Sequence, residues 1–231
     1  MRMRLPAERP TEPPTGYKIA HPVLSQDGTR AGFTGVSLGG ALPYGVLDDA
    51  ACVYGRRHRP PARWCDCGFH CVHDRTAAEA LLCASEYRRA VLLEVSVLGA
   101  YIRFERGFRY ARQRVRTATV GPCDCGAGAA GLADAGRGRP GWRVLLPVCG
   151  GCARGRTTVS LAGFARLAGE GLRMARGAGA AAAPPGGLAV EDEFGVPELA
   201  AEAALLQARL DWFQTQLTRL GESGDHGGGQ G

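Results

Sequence analysis

Nine cysteines and five histidines give this 231-residue chain its clearest chemistry, because the cysteines are clustered. They stand as Cys52, Cys65, Cys67 and Cys71, then Cys83 alone, then Cys123, Cys125, Cys149 and Cys152. The start of the chain has two arginines but no apolar stretch behind them, so a secretory leader is not expected and the compartment is read as cytoplasmic. In a reducing compartment clustered Cys and His read first as metal ligands rather than as disulfides. The pairs Cys123-x-Cys125 and Cys149-x-x-Cys152 suit a ribbon-like site in which two turns each supply two thiolates. Four thiolates at about 2.3 Å satisfy Zn²⁺ tetrahedrally and leave no open position. Two other readings stand beside this one: a set of buried thiols, or a redox pair at Cys149 and Cys152.

The first cluster offers more candidates than four ligands require. Cys65-x-Cys67 followed by Gly68 reads as a knuckle, and Cys52-x₅-His58 upstream supplies two more ligands, with Pro60-Pro61 stiffening the link. The competing set takes His70, Cys71 or His73 in place of Cys52 and His58. Four ligands within nine residues would strain a tetrahedron, which counts against that set. Cys83 is assigned to the core face of a helix.

The run C-x₅-H-x₂-P-x₃-C-x-C-G-F-H, from Cys52 to His70, precedes a helix, an apolar strand and the element Gly107-Phe108-Arg109-Tyr110-Ala111. Over residues 42–120 this order resembles uncharacterised proteins of high-GC Gram-positive bacteria that carry a zinc-knuckle-like C-x₅-H-x₆-C-x-C-G-[FI]-[HY] motif. The resemblance implies Cys52, His58, Cys65 and Cys67 as one ligand set and implies no activity. The chain departs from the pattern at Cys71, where those proteins have alanine, which keeps a ligand exchange open.

Catalytic motifs are scarce. No H-E-x-x-H, P-loop or strand-linked G-x-G-x-x-G occurs, and Pro147-Val148-Cys149-Gly-Gly-Cys152 lacks the H-x-E partner of a deaminase. Gly35-Val36-Ser37-Leu38-Gly39 matches G-x-S-x-G, but it sits in a glycine-rich stretch without the strand and helix of a nucleophile elbow. Six arginines from Arg103 to Arg116, among them Arg109, Arg112 and Arg114, interleave with Phe104, Phe108 and Tyr110. Such a strand can bind single-stranded nucleic acid by charge and stacking. The plainer reading makes the aromatics core and the arginines its solvent face.

The elements that must position these residues follow from periodicity. Residues 17–47 alternate short apolar pieces with glycines, as strands and turns do. A helix is expected over residues 76–88, then strands from Arg89 to Val120 with Gly99-Ala100 as a turn, a loose loop from Gly126 to Gly141, a strand at residues 142–148 and a short helix capped by Ser160. Glycine and proline make up 49 residues, so parts of the chain are expected to stay loose. No run of eighteen apolar residues occurs, which excludes an ordinary membrane-spanning helix. The net charge of +6 is uneven. Residues 1–190 carry 26 basic and 14 acidic side chains (+12), and residues 191–231 carry two and eight (−6).

The expectation is an α+β protein: a disordered lead (1–16), a zinc-binding body (17–176) built on a small antiparallel sheet with two Zn²⁺ sites, a linker (177–190), an amphipathic helix (191–220) and a disordered tail (221–231). Its function is read as non-catalytic and regulatory, through a protein or nucleic-acid partner; the alternative is a thiol redox enzyme or sensor using Cys149/Cys152 or Cys71. Leu199, Ala203, Leu206, Leu210, Phe213, Leu217 and Leu220 repeat as 4, 3, 4, 3, 4, 3, a coiled-coil seam that predicts self-association or protein binding through residues 197–220. Deleting residues 188–231 is expected to leave the metal content intact and change only the association state, as light scattering and metal analysis would show. Loss of metal or of folding would instead make that helix part of the core.

Overall fold

The computed structural model describes residues 12–36, 42–52 and 54–177. Ser37 and the whole segment 191–220, with its heptad seam, lie outside the described residues. So do most of the lead and the tail.

The described chain is mostly β, not α+β, and the sheet is large: ten strands with two short helices. The strands are β1 (Thr15–Ser25), β2 (Ala31–Gly35), β3 (Leu47–Asp49), β4 (Phe69–Val72), β5 (Val91–Arg103), β6 (Gly107–Val120), β7 (Gly131–Arg139), β8 (Trp142–Val148), β9 (Thr158–Ser160) and β10 (Arg173–Arg176). The helices are α1 (Arg75–Leu81) and α2 (Leu161–Ala168). Only β10 runs parallel to its neighbour, β6. Neither helix is long and apolar enough to cross a membrane.

The β5–β6 hairpin is the framework. Val91, Leu93, Val95 and Val97 share one face of β5 and enter the core, where all four are at most 2% exposed, while Leu92 on the opposite face is buried beneath α1 with Ile19 and Ala78. Gly99-Ala100 is not the turn. β5 continues through it as a register shift, with Gly99 at φ +70°, a bulge that a side chain would oppose. The turn comes at residues 104–106, closed by the Phe104 amide donating to the Gly107 carbonyl at 2.8 Å. Residues 112–120 therefore continue β6 rather than forming a further strand.

Strand β1 pairs with β5, β5 with β6, β6 with β4, and β4 returns to β1 at Tyr17–Val72, so this part of the sheet closes on itself. Its lining includes Leu93, Val95, Phe108, Tyr110, Val115 and Cys71. Thr15 and Gly16 belong to β1, so the lead ends earlier than expected. The stretch 126–141 is not a loop throughout, because residues 131–139 pair with β8. Helix α2 is capped by Ser160, whose Oγ accepts from the Gly163 amide at 3.0 Å, and Phe164 packs edge-on against Phe33. Helix α1 ends at Leu81, well short of residue 88. Ala78 faces Ile19 and Leu92, whereas Cys83, beyond the helix, is exposed rather than core.

One charge enters the barrel interior. Lys18, the only lysine beside 27 arginines, places Nζ 4.8 Å from the Tyr44 ring centroid and 5.1 Å from that of Phe69. Burial lowers its pKa to about 8, partly opposed by the Cys71 thiol. The unfolded chain holds this proton up to about pH 10.4. Between about pH 8 and 10.4 the unfolded state therefore binds more protons, and stability from this group rises with pH. Lys18→Met is expected to raise stability near pH 7 by roughly 1–2 kcal/mol, net of the lost ring contacts, and to flatten that rise. Denaturant midpoints at pH 7 and 9.5 would check it; an unchanged pH dependence would mean the amine is solvated.

Candidate metal centres

The first centre is an excursion from the edge of β6. Strand β3 lies opposite residues 112–114 of β6, and β4 lies opposite residues 107–110 on the same edge. Only Ala111 separates the two, and its carbonyl accepts from the Ala50 amide at 2.6 Å. Residues 50–68 thus leave the sheet and return to it at nearly the same place. Within them Cys52, His58, Cys65 and Cys67 converge, with ligand atoms all within 4.8 Å of one another. Cys52 Sγ lies 3.9 Å from Cys65 Sγ, and His58 Nε2 lies 3.0 Å from Cys67 Sγ. Turns close the loop locally: the Gly55 amide donates to the Cys52 carbonyl and the Cys65 amide to the Ala62 carbonyl, both at 3.1 Å. Cys65 and Cys67 are buried, while Cys52 and His58 are half-buried.

Arg109 fastens this loop to the sheet. It was a nucleic-acid candidate on sequence grounds, but it is 6% exposed and faces the loop. Its guanidinium donates to the carbonyls of Cys65 at 2.7 Å and Ala62 at 3.1 Å. Asp66 adds an ion pair at 3.3 Å, but its carboxylate is 48% exposed, so the carbonyl bonds carry more of the energy. Gly68, at φ +129°, lets the chain pass Arg109 closely: a Cβ there would meet Arg109 Cγ at 3.0 Å and the Tyr110 carbonyl at 3.2 Å. Phe108 and Tyr110 point inward and Arg109 outward, and the metal loop roofs that outer face. Of the other two arginines, Arg112 is held by Asp49 through two bonds of 2.8 and 2.7 Å, and Arg114 is half-buried.

The competing ligands are placed elsewhere. Cys71 lies in the barrel core, its thiol pushed up to about 11 by burial. His70 donates to the Asp66 carbonyl, and His73 donates to the Phe104 carbonyl while packing edge-on against Phe108.

The second centre stands at strand ends. Cys123 and Cys125 follow β6, and Cys149 and Cys152 follow β8. Their sulfurs also lie within 4.8 Å of one another, with Cys125 Sγ 3.6 Å from Cys149 Sγ. The Gly126 amide donates to the Cys123 carbonyl, and the Ala153 amide to that of Cys149. Cys123 is buried, Cys149 half-buried, and Cys125 and Cys152 exposed.

Ligand spacing tests whether a metal fits. A tetrahedral ion with sulfur at 2.3 Å requires S···S edges of about 3.8 Å, whereas a disulfide holds its sulfurs at about 2.05 Å. The observed 3.9 and 3.6 Å match the first, and all nine cysteines are free thiols. Proton affinities point the same way. The Cys152 amide, then the neighbouring thiols, lower Cys149 to about 6, while the other thiols raise Cys152 to about 12. In the first cluster burial raises Cys67 to about 11. Crowded thiols give up one proton readily and resist losing the next; a divalent cation removes that conflict. Both clusters are thus suited to a soft-ligand metal such as zinc.

Comparison with protein families, curated proteins and solved structures returns no match. The chemistry of the two centres therefore rests on their geometry.

Sequence patterning did not reveal the fastening role of Arg109. The available signal was its position between two inward aromatics, on a face that the preceding Cys/His loop had to cover. Arg109→Met, which keeps the stem and removes the guanidinium, is expected to cost about 2–4 kcal/mol of stability because two loop carbonyls lose their partner. It should also weaken metal retention at the first centre by about 10–100-fold without affecting the second. Chelator competition on both centres checks this; equal weakening at both would refute the fastening role.

Proposed function

We propose that the chain is a non-catalytic binding protein whose mostly-β body is stabilised by two structural Zn²⁺ ions. The observation that carries this is the convergence of two four-ligand sets, Cys52, His58, Cys65 and Cys67 in one and Cys123, Cys125, Cys149 and Cys152 in the other. Each set fills a tetrahedron with protein ligands and leaves no position for a substrate or activated water, the mark of a structural rather than a catalytic site. Three thiolates and a neutral histidine around Zn²⁺ leave the first centre at −1, and four thiolates leave the second at −2. Ions bound this way supply folding free energy directly, on the order of 10 kcal/mol for small zinc modules. The body then acts as a rigid platform for a partner, through its loops or through residues 197–220.

A second reading has one observation in its favour. Cys125 and Cys152 are exposed and Cys149 is lowered to about 6, which suits a reactive thiol pair at Cys149/Cys152. Cys71 does not share that character, since it is buried and raised to about 11.

Elemental analysis separates the readings. The purified protein is expected to hold two zinc ions and to be colourless; iron would announce itself by absorption. Cys65→Ser should lose one zinc and Cys149→Ser the other, each leaving its counterpart filled. A metal-free protein with a reversible Cys149–Cys152 disulfide would overturn the structural-zinc reading in favour of redox chemistry.

A further inference from the structure

The first metal loop presents a surface that its structural role does not require. Between Cys52 and Cys65 it carries Arg56, Arg57, Arg59 and Arg63, all exposed, and residues 54–64 contain no acidic residue. No carboxylate among the described residues pairs with any of the four. Two large aromatics flank them, Tyr54 at 60% and Trp64 at 68% exposure, when most aromatics of the body are buried or half-buried. Trp64 makes a T-shaped contact with the ligand His58, with ring centroids 6.0 Å apart, so it is tied to the first centre while most of its surface stays exposed. Arg56 lies 5.8 Å from the centroid of the Tyr54 ring. Bending over the sheet and fastened by Arg109, the loop holds this group on a firm frame.

Four exposed guanidinium groups would attract any polyanion, but flat exposed rings beside them select for one kind. Bases of a single strand offer unpaired π-faces to stack on aromatics while the phosphates meet guanidinium groups. An acidic peptide offers the charge without the faces, and a duplex hides its faces in its own stack. We propose that the loop formed by residues 54–64 binds single-stranded nucleic acid, with Tyr54 and Trp64 as stacking platforms and Arg56, Arg57, Arg59 and Arg63 as phosphate contacts. This rests on the zinc-stabilised binding role proposed above and assigns that role a ligand class. It also moves the nucleic-acid surface away from Arg109 and Arg112, which are committed to the loop carbonyls and to Asp49.

The test uses the full-length, zinc-loaded protein and a fluorescent oligodeoxythymidine of about 20 nucleotides, long enough for one such site. Anisotropy should show binding whose logarithmic salt slope is about −3, from four phosphate contacts at roughly 0.7 each on a single strand. Arg57→Ala with Arg59→Ala should reduce that slope by about 1.4. Tyr54→Ala and Trp64→Ala should each weaken binding between about 5- and 150-fold with the slope unchanged. Trp64→Phe, which keeps a ring against His58, should retain most of the affinity and so separates stacking from support of the loop. A duplex of the same length, or polyglutamate of similar charge, should compete poorly. Wild-type protein with two zinc ions that binds no oligodeoxythymidine at about 50 mM salt, or binds duplex or polyglutamate equally well, overturns this inference alone. Wild-type protein with fewer than two zinc ions overturns the zinc-stabilised reading instead.

Discussion

Backbone hydrogen bonds along the outer edge of β6 hold β3 opposite residues 112–114 and β4 opposite residues 107–110, so the two short strands lie end to end on one line. Among the described residues, much of what could act hangs from that line. The gap between β3 and β4 expels residues 50–68 as the first metal loop. Four residues past Val120, where β6 ends, the chain is already in the second centre, between Cys123 and Cys125. The inner face of the same strand supplies Phe108, Tyr110 and Val115 to the barrel core. A single strand thus orders the core, the path into the first centre and the Cys123/Cys125 half of the second, and it pairs with β5 along nearly its whole length.

The two centres differ in what surrounds them. The first is a small hydrophobic satellite in its own right, with Ala62, Cys65 and Cys67 buried together and Cys52 against them. A guanidinium closes its underside. The second has two of its four cysteines exposed and is tied to the rest by exposed contacts such as the Arg89–Asp124 pair, with both side chains more than 40% exposed. Such a surface pair contributes under about 1 kcal/mol, far less than a tetrahedral metal. The second knuckle should therefore owe its shape mainly to its ligands, and the first to its ligands and its packing together.

What could be read in advance depended on whether a signal was local. The pairs Cys65-x-Cys67 and Cys149-x-x-Cys152 carry their geometry in their own spacing, and the alternation of Val91 to Val97 with its neighbours marks β5 without further help. Sheet size was not local information. Strands β3, β9 and β10 are three or four residues long, too short for period-2 patterning to emerge, and exist because a longer strand offers them an edge. Glycine misled in both directions. Gly99 suggested a turn where β5 merely bulges, and the glycines of 126–141 suggested a loop where β7 pairs with β8 despite them. Arg109 was misplaced for a related reason: alternation correctly sets it opposite Phe108 and Tyr110, but solvent on that face is replaced by a loop whose bonded carbonyls lie 44 and 47 residues upstream.

The collinearity of β3 and β4 also bears on how such a protein can change over evolutionary time. Both ends of the segment 50–68 are anchored to adjacent residues of one strand, so the gap it bridges does not depend on its length. Closing a loop costs only about 0.6 kcal/mol more for each doubling of its residues. Exchanging this segment for a longer or shorter one would leave β6, the barrel and the second centre in register, provided Gly68 and the carbonyls that meet Arg109 were kept. The sheet is in that sense a socket, and the Cys/His segment a cartridge that can be rewritten without refolding its holder.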